Sequence, residues 1–202
     1  MKTSPMQGIA DALLEMDKRA ALFVANQNYD EALNVYKEIL RAQEQLKLET
    51  LCGRTLMNMA NIYMIQDKHE DALEKINDAA SIKAMQVNGD DRGTLMLCHA
   101  NCLLRLGKAK EAELELKKEL MKNYSKSLYG KMELMLFSYY MESSNKVMAR
   151  TYIDKAINHF KLDQNMNELL RALHARVDYF RLMGQEHYAR YDEIEIERLT
   201  NS

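Results

Sequence analysis

A small residue returns along this chain at a nearly constant step, and apolar side chains travel with it. Ala32, Ala72, Ala112, Ala149 and Ala189 stand 40, 40, 37 and 40 residues apart. Nine places before each alanine come Phe23, Tyr63, Leu103, Tyr140 and Phe180, and twelve before come Ala20, Ala60, Ala100, Phe137 and Val177. Four places after come Tyr36, Ile76, Leu116 and Ile153, with Glu193 as the exception; seven after come Ile39, Ala79, Glu119, Ala156 and Ile196. Offsets of three, four and seven are those of one face of an α-helix, and a fixed period of this size marks a repeat architecture. Each copy therefore predicts two antiparallel helices. The tight turns between them fall at Gln27, Asp67, Gly107, Ser144 and Gly184, just before the shared alanine.

The pattern predicts helices over 6–26, 30–46, 49–66, 69–87, 92–106, 109–123, 126–143, 146–161, 165–183 and 186–200. Repeats then cover about 13–48, 53–88, 93–124, 130–162 and 170–202 of a single domain, 1–202. Asn88-Gly89-Asp90-Asp91 is the clearest loop signal, with Asp90 or Asp91 placed to cap the following helix. The small alanine near the start of each second helix lets two backbones approach, and the aromatic or aliphatic residue of the first helix fills the space beside it.

Residues 53–80 carry the pattern best: Leu56, Met59, Ala60, Tyr63, Ala72, Leu73, Ile76 and Ala79 all fall where the tetratricopeptide repeat places its packing residues. The chain resembles that family over about 13–200. The resemblance implies an all-α fold, a right-handed α-α superhelix of five helical hairpins. No copy has the closing proline of the family, and the period of about 40 exceeds the usual 34 or so, so the second helices are expected to run one to two turns longer, with Ile39 to Leu48 and Ala79 to Val87 continuing unbroken. The fourth copy is shorter by three residues, which implies a local tightening of the superhelix. Long-helix repeats of this kind resemble those of bacterial peptide-pheromone receptors, kinesin light chains and cell-polarity adaptors.

Composition agrees with helix: one Pro and seven Gly in 202 residues, and 15 Met to fill a core. With 28 basic and 30 acidic residues and no long run of one sign, the chain lacks the cationic excess that phosphate binding requires, so no nucleic acid is expected as a partner. No apolar stretch approaches the ~20 residues that span a bilayer, and Met1 to Leu14 does not read as a signal peptide. Three cysteines, an odd number, fit a reducing, cytoplasmic setting.

Catalytic chemistry finds no foothold in the sequence. His69, His99, His159, His174 and His187 include no i, i+4 pair, so the zinc helix motif is absent. Cys98 and Cys102 lie one helical turn apart, which suits soft metal ligands as well as small core positions, but no second ligand pair accompanies them. Glycine-rich phosphate loops, nucleophile elbows and C-x-x-C are missing. Carboxylate pairs such as Asp30-Glu31 and Glu70-Asp71 fall at helix starts, where they complement the helix dipole. The expectation is no enzyme, no cofactor and no metal.

In the resembled architecture the first helices of successive pairs line a concave wall. Superposing the copies places Arg54, Met57, Asn58, Asn61 and Met64 on that stripe, then Leu97, Asn101 and Arg105, then Lys131 and Ser138, then Arg171, His174 and Asp178. The asparagines offer donor and acceptor to an extended peptide, or bond the neighbouring helix. Arg54, Lys131, Arg171 and Arg181 could anchor an acidic group. Relatives that clamp a terminal carboxylate use a basic residue and an asparagine in the first repeat; here Asp17 and Ala21 hold the matching places, against that subclass. The expected function is a scaffold or adaptor that holds a protein or peptide in its groove. The alternatives are a bacterial regulatory peptide receptor or a secretion-type chaperone acting through a separate effector chain. Met6, Ile9, Leu13 and Leu14 form an apolar stripe at the N-terminal edge suited to a homodimer, whereas Glu193 marks the last helix as a solvated cap.

Overall fold

The computed structural model describes the backbone of residues 5–87 and 89–201, and their side chains from Gln7 onward. Among the described residues there are eleven helices and no strand: α1 Pro5–Ala25, α2 Tyr29–Gln45, α3 Glu49–Ile65, α4 His69–Ser81, α5 Lys83–Val87, α6 Gly89–Arg105, α7 Ala109–Glu119, α8 Lys126–Glu142, α9 Lys146–Leu162, α10 Met166–Leu182 and α11 Glu186–Thr200. Contacts gather them into two compact units, Met1–Leu106 with α1 to α6 and Gly107–Ser202 with α7 to α11.

The repeating alanines are core positions throughout: Ala32, Ala72, Ala112 and Ala149 are fully buried and Ala189 nearly so. The apolar partners four places on, Tyr36, Ile76, Leu116 and Ile153, are buried too, while Glu193 is half-exposed and bonded to Arg181. In the first unit α1 pairs with α2 and α3 with α4, and α3 packs on both α2 and α4. Two apolar clusters result, one around Ala20, Leu33, Ile39 and Ile62, the other around Leu56, Ala60, Ile76 and Leu95. In the second unit α8 pairs with α9 and α10 with α11.

Every predicted hairpin turn has the same backbone solution. Gln27, Asp67 and Ser144 take φ of 61°, 57° and 59°, and Gly107 and Gly184 take 75° and 67°. The reversal lets an amide beyond the turn reach back to the last helical turn: Asn28 N–H donates to Phe23 O at 2.8 Å, Lys68 to Tyr63 O at 2.9 Å, Asn145 to Tyr140 O at 2.9 Å and Gln185 to Phe180 O at 2.8 Å. This satisfies carbonyls that a helix end otherwise leaves unpaired. Lys47 and Gln164 do the same between hairpins, with φ of 56° and 55°. Asn145 and Asn165 then cap α9 and α10 by accepting from Met148 N–H and Glu168 N–H.

Three expectations need correction. The helix predicted over 69–87 breaks at Ile82, which is extended (φ −78°, ψ 114°), and α5 follows as a separate short helix. The break brings fully buried Met85 against α3 at Gly53, where a Cβ would lie 2.4 Å from the methionine Cγ; close packing outweighs helical continuity. Gly89-Asp90-Asp91 is the first turn of α6 and not a loop, its two carboxylates lying at the positive end of the helix dipole, while Asn88 lies outside the described residues. Finally, α7 stops at Glu119, short of the expected 123, and the missing three residues of the fourth copy are taken up there. Buried Tyr124 turns back on the connection and donates to Glu119.

Candidate functional site

Within the first unit, α1 and the start of α3 stand apart over the end of α2 and enclose a cavity of about 530 Å³. Ile9, Leu13 and Leu14 of α1 form one wall, and Leu51 with Arg54 of α3 the other. Ile39 and Gln43 of α2, with Leu46 just after it, make the floor. Ile9, Leu14, Leu46 and Leu51 remain 40, 54, 38 and 38% exposed, an apolar lining open to solvent. The floor's polar groups are closed on themselves: Thr55 Oγ1 donates to Gln43 Oε1 at 2.9 Å, both residues buried. That bond occupies the threonine hydroxyl and the glutamine carbonyl, and the rest of the floor is apolar.

Polar groups stand at the mouth. Asp17 and Asn58 line it, and burial followed by the Asp17 carboxylate raises the pKa of the Tyr36 hydroxyl. Arg54 reaches across to α6 and holds Asp91 by two bonds, Nε to Oδ1 at 2.8 Å and Nη2 to Oδ2 at 3.1 Å. That bidentate pair fixes the guanidinium and raises its pKa chiefly through the Asp91 hydrogen bond, so Arg54 is a fixed rim post and not a spare anchor.

The other sequence-predicted residues of this unit divide. Met57 is a correction: at 5% exposure it belongs to the second core cluster, because α3 is covered from several sides and its methionine faces α4 and α6. Met64 is half-buried on the same cluster, and Leu97 is half-buried on α6. Asn61 is exposed with Cys98 Sγ 4.0 Å from its Oδ1, Asn101 is half-buried and Arg105 exposed. The two thiols of α6 have separate surroundings: Cys102 donates to His69 O at 3.2 Å, and burial pushes Cys98 up to about 11, the opposite of an activated thiolate.

In the second unit, Lys131 and Arg171 lie 3.8 and 3.5 Å from the two oxygens of Glu168, so one carboxylate holds both cations. His174 and Asp178 are exposed on α10, and Ser138 is exposed on α8 with its hydroxyl donating to its own helix at Leu134 O. Strongly held charge in this unit lies elsewhere. Glu113, 4% exposed, accepts from Lys110 and Lys117 at 2.8 and 2.7 Å and from the Tyr140 hydroxyl. Burial alone would raise its pKa; the two ammonium groups and the tyrosines bring it down to about 2. Glu133 Oε2 meets His159 Nδ1 at 2.6 Å, with Tyr129 stacked on the imidazole. Lys110, Glu113 and Lys117 are readable as an i, i+3, i+7 series on one helix. Thr55 with Gln43, and His159 with Glu133, join different helices and left no signal in the sequence.

Solved structures similar to this chain are repeat proteins. BtubC (BKLC) from P. vanneervenii is 18% identical, with a TM-score of 0.70 over 94% of this chain and 80% of that one. A protein of Podosopora anserina described as a kinesin light chain with nearly identical TPR-like repeats is 16% identical, with a TM-score of 0.67 over 93% and 94%. A tetratricopeptide repeat protein from Parabacteroides merdae is 18% identical, with a TM-score of 0.50 over 93% and 80%. No family model and no curated protein matches the sequence. The chain thus has the all-α, tetratricopeptide-type helical repeat fold.

Proposed function

We propose that the chain is a non-catalytic interaction module of the cytoplasm that holds a polypeptide segment in the groove between α1 and α3. One observation carries this reading: an open, largely apolar cavity of about 530 Å³ whose floor is polar only at Gln43 and Thr55, which are bonded to each other. An apolar segment entering it removes Ile9, Leu14, Leu46 and Leu51 from water. Asn58 and Asn61 on α3 of the same unit then supply polar contacts to the part of the partner that lies outside the cavity. The free thiols of Cys52, Cys98 and Cys102 support a reducing setting.

The test is capture with matched variants. Leu14→Asp and Leu51→Asp alter exposed lining residues and should leave the helical content unchanged, while proteins retained by the parent in cross-linking and mass spectrometry are lost. Cross-links from α1 to α1 of a second copy, sensitive to Leu14→Asp, would instead make this edge a homodimer contact. Retention of the same partners by both variants would refute the groove assignment.

A further inference from the structure

On the side of α3 away from that groove lies a second trough. Its floor is Leu56, Met59 and Tyr63 of α3; one wall is Lys37, Leu40 and Glu44 of α2, the other Asp71, Glu74 and Asp78 of α4. Each set runs at i, i+3, i+7, so all three stripes follow the helix axes for about two turns. The trough has a volume of about 570 Å³ and continues through Leu40, Glu44, Leu56 and Ile82 into a further 360 Å³ or so beside Cys52 and Glu49. The helix break at Ile82 forms its end, because α5 turns off toward α6 where a continued α4 would have run on.

The rim is acidic. Around the two volumes stand Glu44, Glu49, Asp71, Glu74 and Asp78 against Lys37, Lys47 and Lys75, and Lys75 is already held by Glu74 and Asp78 at 2.6 and 3.0 Å. Among the described residues Glu44, Glu49 and Asp71 have no ion-pair partner. The shape asks for a helix with an apolar ridge two turns long and cations beside it.

The chain itself carries a helix with a shorter ridge of this kind, Tyr191 and Ile194 lying within one turn of each other. The outer face of α11 exposes Tyr191 at 70% and Ile194 at 56%, with Arg190 and Arg198 beside them. Neither arginine has an ion-pair partner among the described residues; of the acids on the flanks, Glu193 holds Arg181 and Glu195 holds Lys161 at 2.7 Å, while Glu197 is exposed beside Arg198 without an ion-pair partner. Arg190 and Arg198 are eight residues apart and Asp71 and Asp78 seven, so the helical rise spaces the cations by about 12 Å and the carboxylates by about 10 Å. We propose that α11 of one copy seats Tyr191 and Ile194 in the α2–α4 trough of a second copy, with Arg190 and Arg198 against the Asp71 and Asp78 wall. The contact is heterologous, two different surfaces meeting, and leaves the groove between α1 and α3 open.

Charge exchange tests this on the whole chain. Sedimentation at rising concentration should give a mass above the monomer that falls with added salt. Asp71→Arg with Asp78→Arg should weaken association about tenfold or more, as should Arg190→Glu with Arg198→Glu, and a mixture of the two variants should associate, because the unaltered α11 of the first meets the unaltered trough of the second and the two reversed surfaces also pair opposite charges. All four changes in one chain restore it. Far-ultraviolet circular dichroism confirms that each variant is folded. A parent that stays monomeric, association insensitive to both pairs, failure of the fourfold variant to recover, or association abolished by Leu14→Asp instead would each overturn the assignment.

Discussion

Gly130 of α8 shows how closely the second unit is packed, and replacing it gives a prediction whose sign turns on two opposing magnitudes. A Cβ at this position would lie 2.5, 2.7 and 2.8 Å from Cε1, Cζ and Cδ1 of Phe160, a fully buried ring on α9. Alanine in place of glycine inside a helix ordinarily stabilises by about 0.5 to 1 kcal/mol. Overpacking a closed core costs about 1 to 3 kcal/mol, and a rigid ring with no free volume behind it belongs toward the upper end. Gly130→Ala should therefore destabilise by about 1 to 2 kcal/mol. With Phe160→Leu the obstructing ring edge is gone, and the same change should become neutral or favourable, a coupling of about 2 kcal/mol between the sites. Urea denaturation followed by circular dichroism on the four proteins of the cycle measures this. An effect of Gly130→Ala that is the same in the parent and in the Phe160→Leu variant would refute the argument, as would a Gly130→Ala protein more stable than the parent. Gly53 supplies the contrast, since the atoms in the way there belong to Met85, whose flexible chain can yield part of the space.

The turn geometry predicts gains elsewhere: Gln27→Gly and Gln164→Gly remove a side chain from a positive φ and should each stabilise by about 1 kcal/mol in thermal melts, while Gly184→Ala, with open space around it, should cost about as much through the backbone alone. Met85→Ala should cost about 2 to 5 kcal/mol by leaving a cavity against α3, read as a lower urea midpoint. Glu113 governs an acid limb. Its folded pKa of about 2 lies below the ordinary 4.5, so its stabilisation is complete above about pH 4.5 and is lost as the pH falls toward 2. The shift alone corresponds to about 3 kcal/mol, but Lys110 and Lys117 are 75 and 39% exposed and screened by solvent, so about 1 to 2 kcal/mol is expected. Glu113→Gln should flatten that limb in pH-dependent unfolding.

The parts of the fold legible in the sequence are those with a period. Alanine spacing located all five hairpin turns and the buried stripe, because close helix packing admits only a small residue there and burial repeats with it. The break at Ile82 was not legible: Ala79 to Val87 holds no glycine or proline, and only the packing of Met85 on Gly53, some thirty residues away in sequence, interrupts the helix. The candidate site was read in part. Asp17, Arg54 and Asn58 do meet at one mouth, yet helix phase alone could not tell Met57, turned into the core, from Asn58 beside it, nor foresee that Arg54 was committed to Asp91.

The guanidinium of Arg176 bears on how the second unit comes apart. Held within α10 at 16% side-chain exposure, it donates to Asp154 of α9 at 2.7 Å and to both oxygens of Asp192 of α11. Stacked hairpins are coupled to their neighbours mainly through apolar interfaces and can fray from a free end. Here peeling α11 away would leave a buried cation short of a counter-charge, and removing one partner of such a group is strongly destabilising. Hydrogen exchange in α11 should therefore follow that of α9 and α10 instead of running ahead of it, so that the last hairpin is lost together with the one before it.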